Sequence, residues 1–283
     1  MSRRSRADLA GIQIGDGLPV AVMGVINVSP ESFHPGSVYR GDDTVLAAAL
    51  AMAEAGAALV DVGARSSAPY LDTAISEAEE TERLVRAVDA LAAKLSVPLS
   101  VDTSRPAVAR AALEAGARVL NDVSGLADPM LARVAAEHDA GLIMMAAPAP
   151  GRAVDAPLST VTRILRGALD TARAAGVPEE RIVLDPGIGF FRDADIAWHA
   201  WDVTVLAGLP ALAALGRPLC VGVSRKSFVG AITGRADTAA RLSGSLAATA
   251  AAVLGGAALV RTHDVAETID AVRVAERIAR AAP

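Results

Sequence analysis

Short apolar runs alternate with longer amphipathic ones along the whole chain. The short runs fall at residues 20–26, 59–62, 99–101, 119–123, 142–145, 182–184, 219–223 and 258–261. They are apolar throughout rather than at every second position, which predicts strands buried on both faces, as in a parallel sheet. Between them, apolar residues recur at helical spacing over 44–55, 77–95, 106–115, 130–137, 158–175, 196–215, 241–254 and 266–281. Glycine closes several of these segments, as in Ala55-Gly56-Ala57, Ala115-Gly116-Ala117 and Ala175-Gly176-Val177. A left-handed cap before the next strand wants that residue. Strand and helix taking turns eight times predicts a (β/α)8 TIM barrel made of a single domain, residues 1–283. A doubly wound open sheet is the rival. It calls for a glycine-rich phosphate loop after its first strand, where this chain has Asn27-Val28-Ser29-Pro30. Residues 1–19 predict a tail and a small hairpin that closes the barrel end away from the chemistry.

Composition narrows the classes. The chain has 283 residues, is 52% hydrophobic and carries a net charge of -5, so a large core is easily filled and no nucleic-acid footprint appears. The one cysteine, Cys220, sits in an apolar run and excludes both a disulfide framework and a multi-thiolate metal site. The basic start, Met1-Ser2-Arg3-Arg4, has no apolar stretch behind it, and no apolar run reaches membrane-spanning length. A cytoplasmic protein with small-molecule substrates, no nucleic-acid or membrane partner, is the expectation.

In a parallel barrel the carboxyl ends of the strands form one functional rim. Here those ends carry Asn27; Asp61, Gly63 and Arg65; Asp102 and Thr103; Asn121, Asp122 and Ser124; Met144 and Met145; Asp185; Ser224 to Ser227; and Arg261, His263 and Asp264. The long irregular stretches 29–43, 64–76 and 146–157 gather at the same rim. Asp102, Asn121 and Asp185 suit a flat, nitrogen-rich heterocycle offering N–H donors and ring acceptors. Lys226, Arg261 and His263 offer positive charge to a diphosphate. Asn27 beside a carboxylate offers hard oxygen to Mg2+. The run Ser224-Arg225-Lys226-Ser227 offers backbone N–H groups to an anion. Plainer readings stand beside these. Asp61 reads first as a helix cap, Asp122 and Asp264 as loop holders, Asp102 and Asn121 equally as cap or site. His138 and His199 read as helix-surface residues, and His34 is open. Met144 and Met145 read as a ring slot or as core. The charged run 77–83 reads as a solvated helix face.

These rim segments resemble the dihydropteroate synthases. The resemblance rests on Met23-Gly24-Val25-Ile26-Asn27-Val28-Ser29-Pro30, Asp61-Val62-Gly63-Ala64-Arg65-Ser66-Ser67-Ala68-Pro69, Ser100-Val101-Asp102-Thr103, Asn121-Asp122-Val123-Ser124-Gly125, Asp185-Pro186-Gly187-Ile188-Gly189-Phe190, Gly222-Val223-Ser224-Arg225-Lys226-Ser227-Phe228 and Arg261-Thr262-His263-Asp264. It implies a transferase that joins 6-hydroxymethyl-7,8-dihydropterin diphosphate to an aryl amine, p-aminobenzoate, and releases diphosphate. It implies that Asp102, Asn121, Asp185, Lys226, Met144 and Gly222 hold the pterin. Asn27, Ser67, Ser227, Arg261 and His263 then face the diphosphate and the amine, with Mg2+ at Asn27; Arg65 is read beside them from its place in the second loop. Catalysis falls to Asp102, Asp185, Lys226, Arg261 and His263. A homodimer is implied as well.

The chain departs from that pattern in its loops. Ala68 stands where an arginine is usual, and Arg65 where a glutamate is usual. The first loop reads Ser29-Pro30-Glu31-Ser32-Phe33-His34-Pro35-Gly36-Ser37, and Met145-Ala146-Ala147 replaces the usual histidine after the fifth strand. Such loops resemble synthase-like proteins of the methanopterin pathway, which take a ribofuranosyl-aminobenzene phosphate as the amine. A pterin-dependent corrinoid methyltransferase and a non-catalytic pterin-binding protein complete the alternatives.

Overall fold

The structure is a computed structural model that describes residues 5–29, 42–65, 75–149, 156–192 and 196–281. It opens with an antiparallel hairpin, β1 (Arg6–Leu9) and β2 (Ile12–Gly15). Eight parallel strands then close into a barrel: β3 (Ala21–Asn27), β4 (Leu59–Gly63), β5 (Leu99–Asp102), β6 (Val119–Asp122), β7 (Gly141–Met145), β8 (Ile182–Asp185), β9 (Leu219–Gly222) and β10 (Ala257–Thr262). β10 pairs with β3 and seals the ring. Helices follow the strands: α1 (Asp42–Glu54), α2 (Glu77–Ala92), α3 (Pro106–Ala115), α4 (Met130–Glu137), α5 (Pro157–Ala174), α6 (Trp198–Ala207), α7 (Leu209–Leu212), α8 (Ser227–Thr233), α9 (Leu242–Leu254) and α10 (Val265–Ala281). The barrel is the (β/α)8 fold that the alternation predicts. None of the described helices is long and apolar enough to cross a membrane.

Two stretches differ from the sequence pattern. The single helix expected over 196–215 is divided into α6, α7 and a short 3-10 turn. Pro210 has no N–H to continue the helical ladder, and Gly208 fits hard against the Leu158 side chain. The connection from β9 to β10 contains a short helix, α8, outside the amphipathic segments but beginning where the run 224–227 before Phe228-Val229 marks a helix start. It has only seven residues, about two turns, too few for an apolar period to show.

Side-chain direction alternates along each strand, and this sorts the core into two parts. Residues facing outward, such as Val60, Val101, Leu120, Met144, Leu184 and Val260, pack beneath the helices. Residues facing inward form a separate apolar plug: Met23, Leu59, Val119, Ile143, Val183, Cys220 and Leu259. The hairpin adds Ala7, Leu9 and Ile14 to that plug from below. Gly141 permits the approach, because a Cβ there would lie 2.7 Å from the Leu9 side chain. Leu9 is fully buried, so truncating it leaves a cavity in a barrel that cannot collapse around it. Leu9→Ala is expected to lower unfolding free energy by about 2–5 kcal/mol, measured by urea titration. A loss under about 0.5 kcal/mol, the scale of a surface change, rules out the hairpin as a structural cork.

Candidate active site

Moving two residues along from each member of the plug reaches the next inward layer. From Leu59, Val119, Val183, Cys220 and Leu259 the step leads to Asp61, Asn121, Asp185, Gly222 and Arg261. The apolar floor therefore gives way to chemistry within one layer.

Arg261 is the centre of that layer. Its Nε donates to Asp61 Oδ2 at 2.8 Å and its Nη2 to Asp102 Oδ2 at 3.2 Å. Asn121 Nδ2 donates to the same Asp61 oxygen at 3.0 Å. Asp61 is fully buried. The reading of Asp61 as a helix cap is thus corrected: it is the counter-ion of Arg261 and the anchor of Asn121. Burial works against the charge on Arg261, but Asp61 and then Asp102 outweigh it and raise its pKa. Asp102 goes the other way. Burial pushes its carboxyl up to about 7, against the pull of Arg261. Asn27 and Asp102 meet across Gly63, where a Cβ would stand 3.5 Å from Asn27 Oδ1 and 3.6 Å from Asp102 Cβ.

The facing wall is built by Asp185 and Lys226. Asp185 Oδ1 accepts from the Gly187 N–H at 2.7 Å, and burial raises its pKa against the charge of Lys226. Gly187 has φ 74°, and a Cβ there would collide with Ala146 O at 2.0 Å. The loop can therefore turn back toward the strand end only with glycine at this position. Lys226 Nζ donates to Ile188 O and lies 5.0 Å from the Phe190 ring centroid. Burial lowers its pKa, while Asp185 and Asp202 support its charge. Asp202, on α6, fixes the loop by accepting from Gly189 N–H at 2.7 Å. Gly222 lies between the cations, with its missing Cβ 3.6 Å from Arg261 Cβ and 4.0 Å from Lys226 Nζ.

The last strand ends complete the rim. Ser224 Oγ is 3.0 Å from His263 Nδ1 and accepts from the His263 N–H. Arg225 is committed to structure. Its guanidinium forks onto Asp264 at 2.6 and 2.8 Å and also donates to the Thr238 and Ala239 carbonyls. The amide of Arg225 is bound by Ser245 Oγ and that of Lys226 by Val223 O. The backbone anion cradle expected over residues 224–227 is therefore not formed by those two amides. Asp122 holds its own loop, accepting from Ser124 and Leu126. Arg192, unnoticed in the sequence, lies 4.0 Å from the Trp198 ring centroid and donates to Ser227 Oγ.

Two further corrections follow from strand parity and burial. Met144 shares the outward face of β7 with Leu142 and packs with no exposure under the helices. It does not line the pocket. Met145, with the parity of Ile143, is the inward residue beside Asp185. Glu80, inside the supposedly solvated run 77–83, is only 1% exposed and accepts from Thr103 Oγ1. Arg65 is near Glu80, whereas Ser67, Ala68 and the first loop around His34 lie outside the described residues.

Comparison with known proteins agrees with this geometry. Residues 23–263 match the family described as pterin binding enzyme. The chain is 38% identical to a dihydropteroate synthase of Synechocystis, over 92% of this chain and 90% of the relative. It is 40% identical to that of Mycobacterium leprae, over 90% and 92%. Among solved structures, a Xanthomonas albilineans dihydropteroate synthase with 4-aminobenzoic acid superposes with a TM-score of 0.87 at 37% identity, covering 99% of this chain and 100% of the other. The Yersinia pestis enzyme in a sulfonamide drug complex gives 0.88 at 33% identity, covering 98% and 100%. The chain belongs to the dihydropteroate synthase family of pterin-binding enzymes.

Proposed function

We propose that this protein joins 6-hydroxymethyl-7,8-dihydropterin diphosphate to p-aminobenzoate and releases diphosphate. One observation carries the reading: the buried Asp102, Asn121 and Asp185 and the half-buried Lys226 gather directly above the plug. A flat ring lying on that floor has its edge surrounded by carboxylates, an amide and an ammonium. Those groups satisfy its N–H donors and its ring acceptors. The Xanthomonas enzyme holding 4-aminobenzoic acid and a second structure of it with 7,8-dihydropteroate support the choice of amine. The bond from the pterin methylene to the diphosphate oxygen breaks first, and its electron pair leaves with the diphosphate. The amine nitrogen then attacks the methylene and gives up a proton. Asp102 and Asp185 lie where positive charge spreads through the ring, and Arg261 and His263 face the departing anion. No covalent nucleophile is required.

The donor set also fits Mg2+ in one specific way. Among the described residues no group of three or more His, Cys, Asp or Glu side chains could hold a metal. Mg2+ needs no such cage, since it keeps waters and takes substrate phosphate with one or two protein oxygens. Asn27, beside Asp102, would supply one. When bound there, Mg2+ would supply positive charge to the diphosphate. We also infer a homodimer, with α9 and its exposed Leu254 as the contact face.

Diphosphate release should be fast with p-aminobenzoate and slow with ribofuranosyl-aminobenzene phosphate. The reverse ranking moves the chain to the methanopterin branch. Release with neither amine, alongside tight pterin binding, points to a methyltransferase or a binding protein. Asp185→Asn should weaken pterin binding by about 1–3 kcal/mol, because an amide nitrogen stands where a ring N–H needs an acceptor. Calorimetry that finds wild-type affinity in this variant removes Asp185 from the pterin site.

Asp102 gives a pH test on the ligand-free protein. Its folded carboxyl holds a proton up to about 7, against an ordinary 3.8. Between those values the folded state keeps a proton that the unfolded chain has lost, so this group makes stability fall as pH rises. Asp102→Asn should flatten the fall in urea midpoint between about pH 5 and about pH 7.5. An undiminished slope in the variant shows that other groups are responsible.

A further inference from the structure

Glu80 is a buried carboxylate that the chemistry above does not use. It stands in the first turn of α2 and joins three rim segments. Its Oε1 accepts from Thr103 Oγ1 at 2.7 Å, and its Oε2 is 2.9 Å from Arg105 Nη1 and 3.7 Å from Arg65 Nε. Arg105 is braced in turn, with Nη2 donating to Ile75 O and its amide to Thr103 Oγ1.

The charge count is uneven, one carboxylate against two guanidinium groups. A structural staple needs only one cation for one buried acid. Here Arg105 makes the close pair, and Arg65 is held beyond hydrogen-bond range. Arg65 Nε is buried without a hydrogen-bond partner among the described residues, and so are Arg105 Nη1 and Glu80 Oε2, whose 2.9 Å contact is an ion pair only. A guanidinium short of acceptors is ready for ligand oxygens, and its fork matches a phosphate.

The position of the cluster says which ligand. Arg65 lies two residues beyond Gly63, which pairs with both Asn27 and Asp102. Thr103 directly follows Asp102. The surplus positive charge therefore borders the Asn27 side of the pocket, and not the Ser227 side.

We propose that Glu80 is a positioning residue for the reaction: it holds Arg65 and Arg105 together beside Asn27 and Asp102, and their surplus charge receives the diphosphate of the first substrate. The proposal rests on the functional reading above. It also gives Arg65 the anion contact that Ala68 cannot make.

The test separates diphosphate recognition from pocket integrity. Calorimetry with 6-hydroxymethyl-7,8-dihydropterin, its diphosphate and inorganic diphosphate is run on wild type, Glu80→Gln, Arg65→Ala and Arg65→Lys. Glu80→Gln and Arg65→Ala should lose about tenfold in affinity for the two diphosphates and keep that for the alcohol, while Arg65→Lys keeps most of both. Arg65 is partly exposed, so its variants report even where Glu80→Gln folds poorly. Equal losses for alcohol and diphosphate, or no loss for either, overturn the proposal and leave the functional reading standing. Wild-type protein that binds no pterin overturns both.

Discussion

Arg261 carries a positive charge into the middle of a barrel whose floor is apolar apart from the Ser100 hydroxyl, and the pocket depends on how that charge is held. An unpaired guanidinium at this depth is not tolerable, so two carboxylates flank it. Asp61 is the closer, with Nη2 to Oδ2 at 2.7 Å. Asp102 is the looser partner, and it is the one whose protonation lies near neutrality. The asymmetry divides their work. Asp61 gives its Oδ2 to both Arg261 and Asn121, while its Oδ1 is buried without a hydrogen-bond partner among the described residues. Asp102 keeps capacity for a ligand.

The same division recurs around the rim. Arg225 is saturated by Asp264 and two carbonyls, and its left-handed backbone, φ 54°, is fixed by that grip. Lys226, next in sequence, is turned into the pocket by it. Asp202 secures the Gly189 turn so that Asp185 and Lys226 face each other. Asp102 and Lys226 each stand beside a like-charged residue, Asp61 and Arg225, that is tied within the protein. Buried charge costs stability, and these engaged partners recover part of the cost while fixing direction.

Much of this is legible in the sequence, and strand parity explains which part. The apolar runs locate the strands to within a residue or two, and a polar residue at a strand end announces the rim. A run of uniform apolar residues does not reveal which of its members face inward. Met144 and Met145 are indistinguishable until the plug is seen to contain Ile143. Asp61 and Glu80 look like a cap and a surface acid because helix starts and charged runs usually are. Asp61 meets Arg261, 200 residues away, only because the barrel closes, and Glu80 meets Arg105, 25 residues away, across two neighbouring β/α units. Loop residues such as Arg192 have no period at all to betray them.

The plug, with the hairpin beneath it, closes the lower end of the barrel, so that among the described residues the pocket is a well open toward the strand ends. Two molecules that react inside such a well cannot come in from opposite ends. Whatever rests on the floor arrives first and departs last, and the molecule above it acts as a lid while both are present. Order of arrival then follows from the closed floor, to which the short N-terminal hairpin contributes Ala7, Leu9 and Ile14.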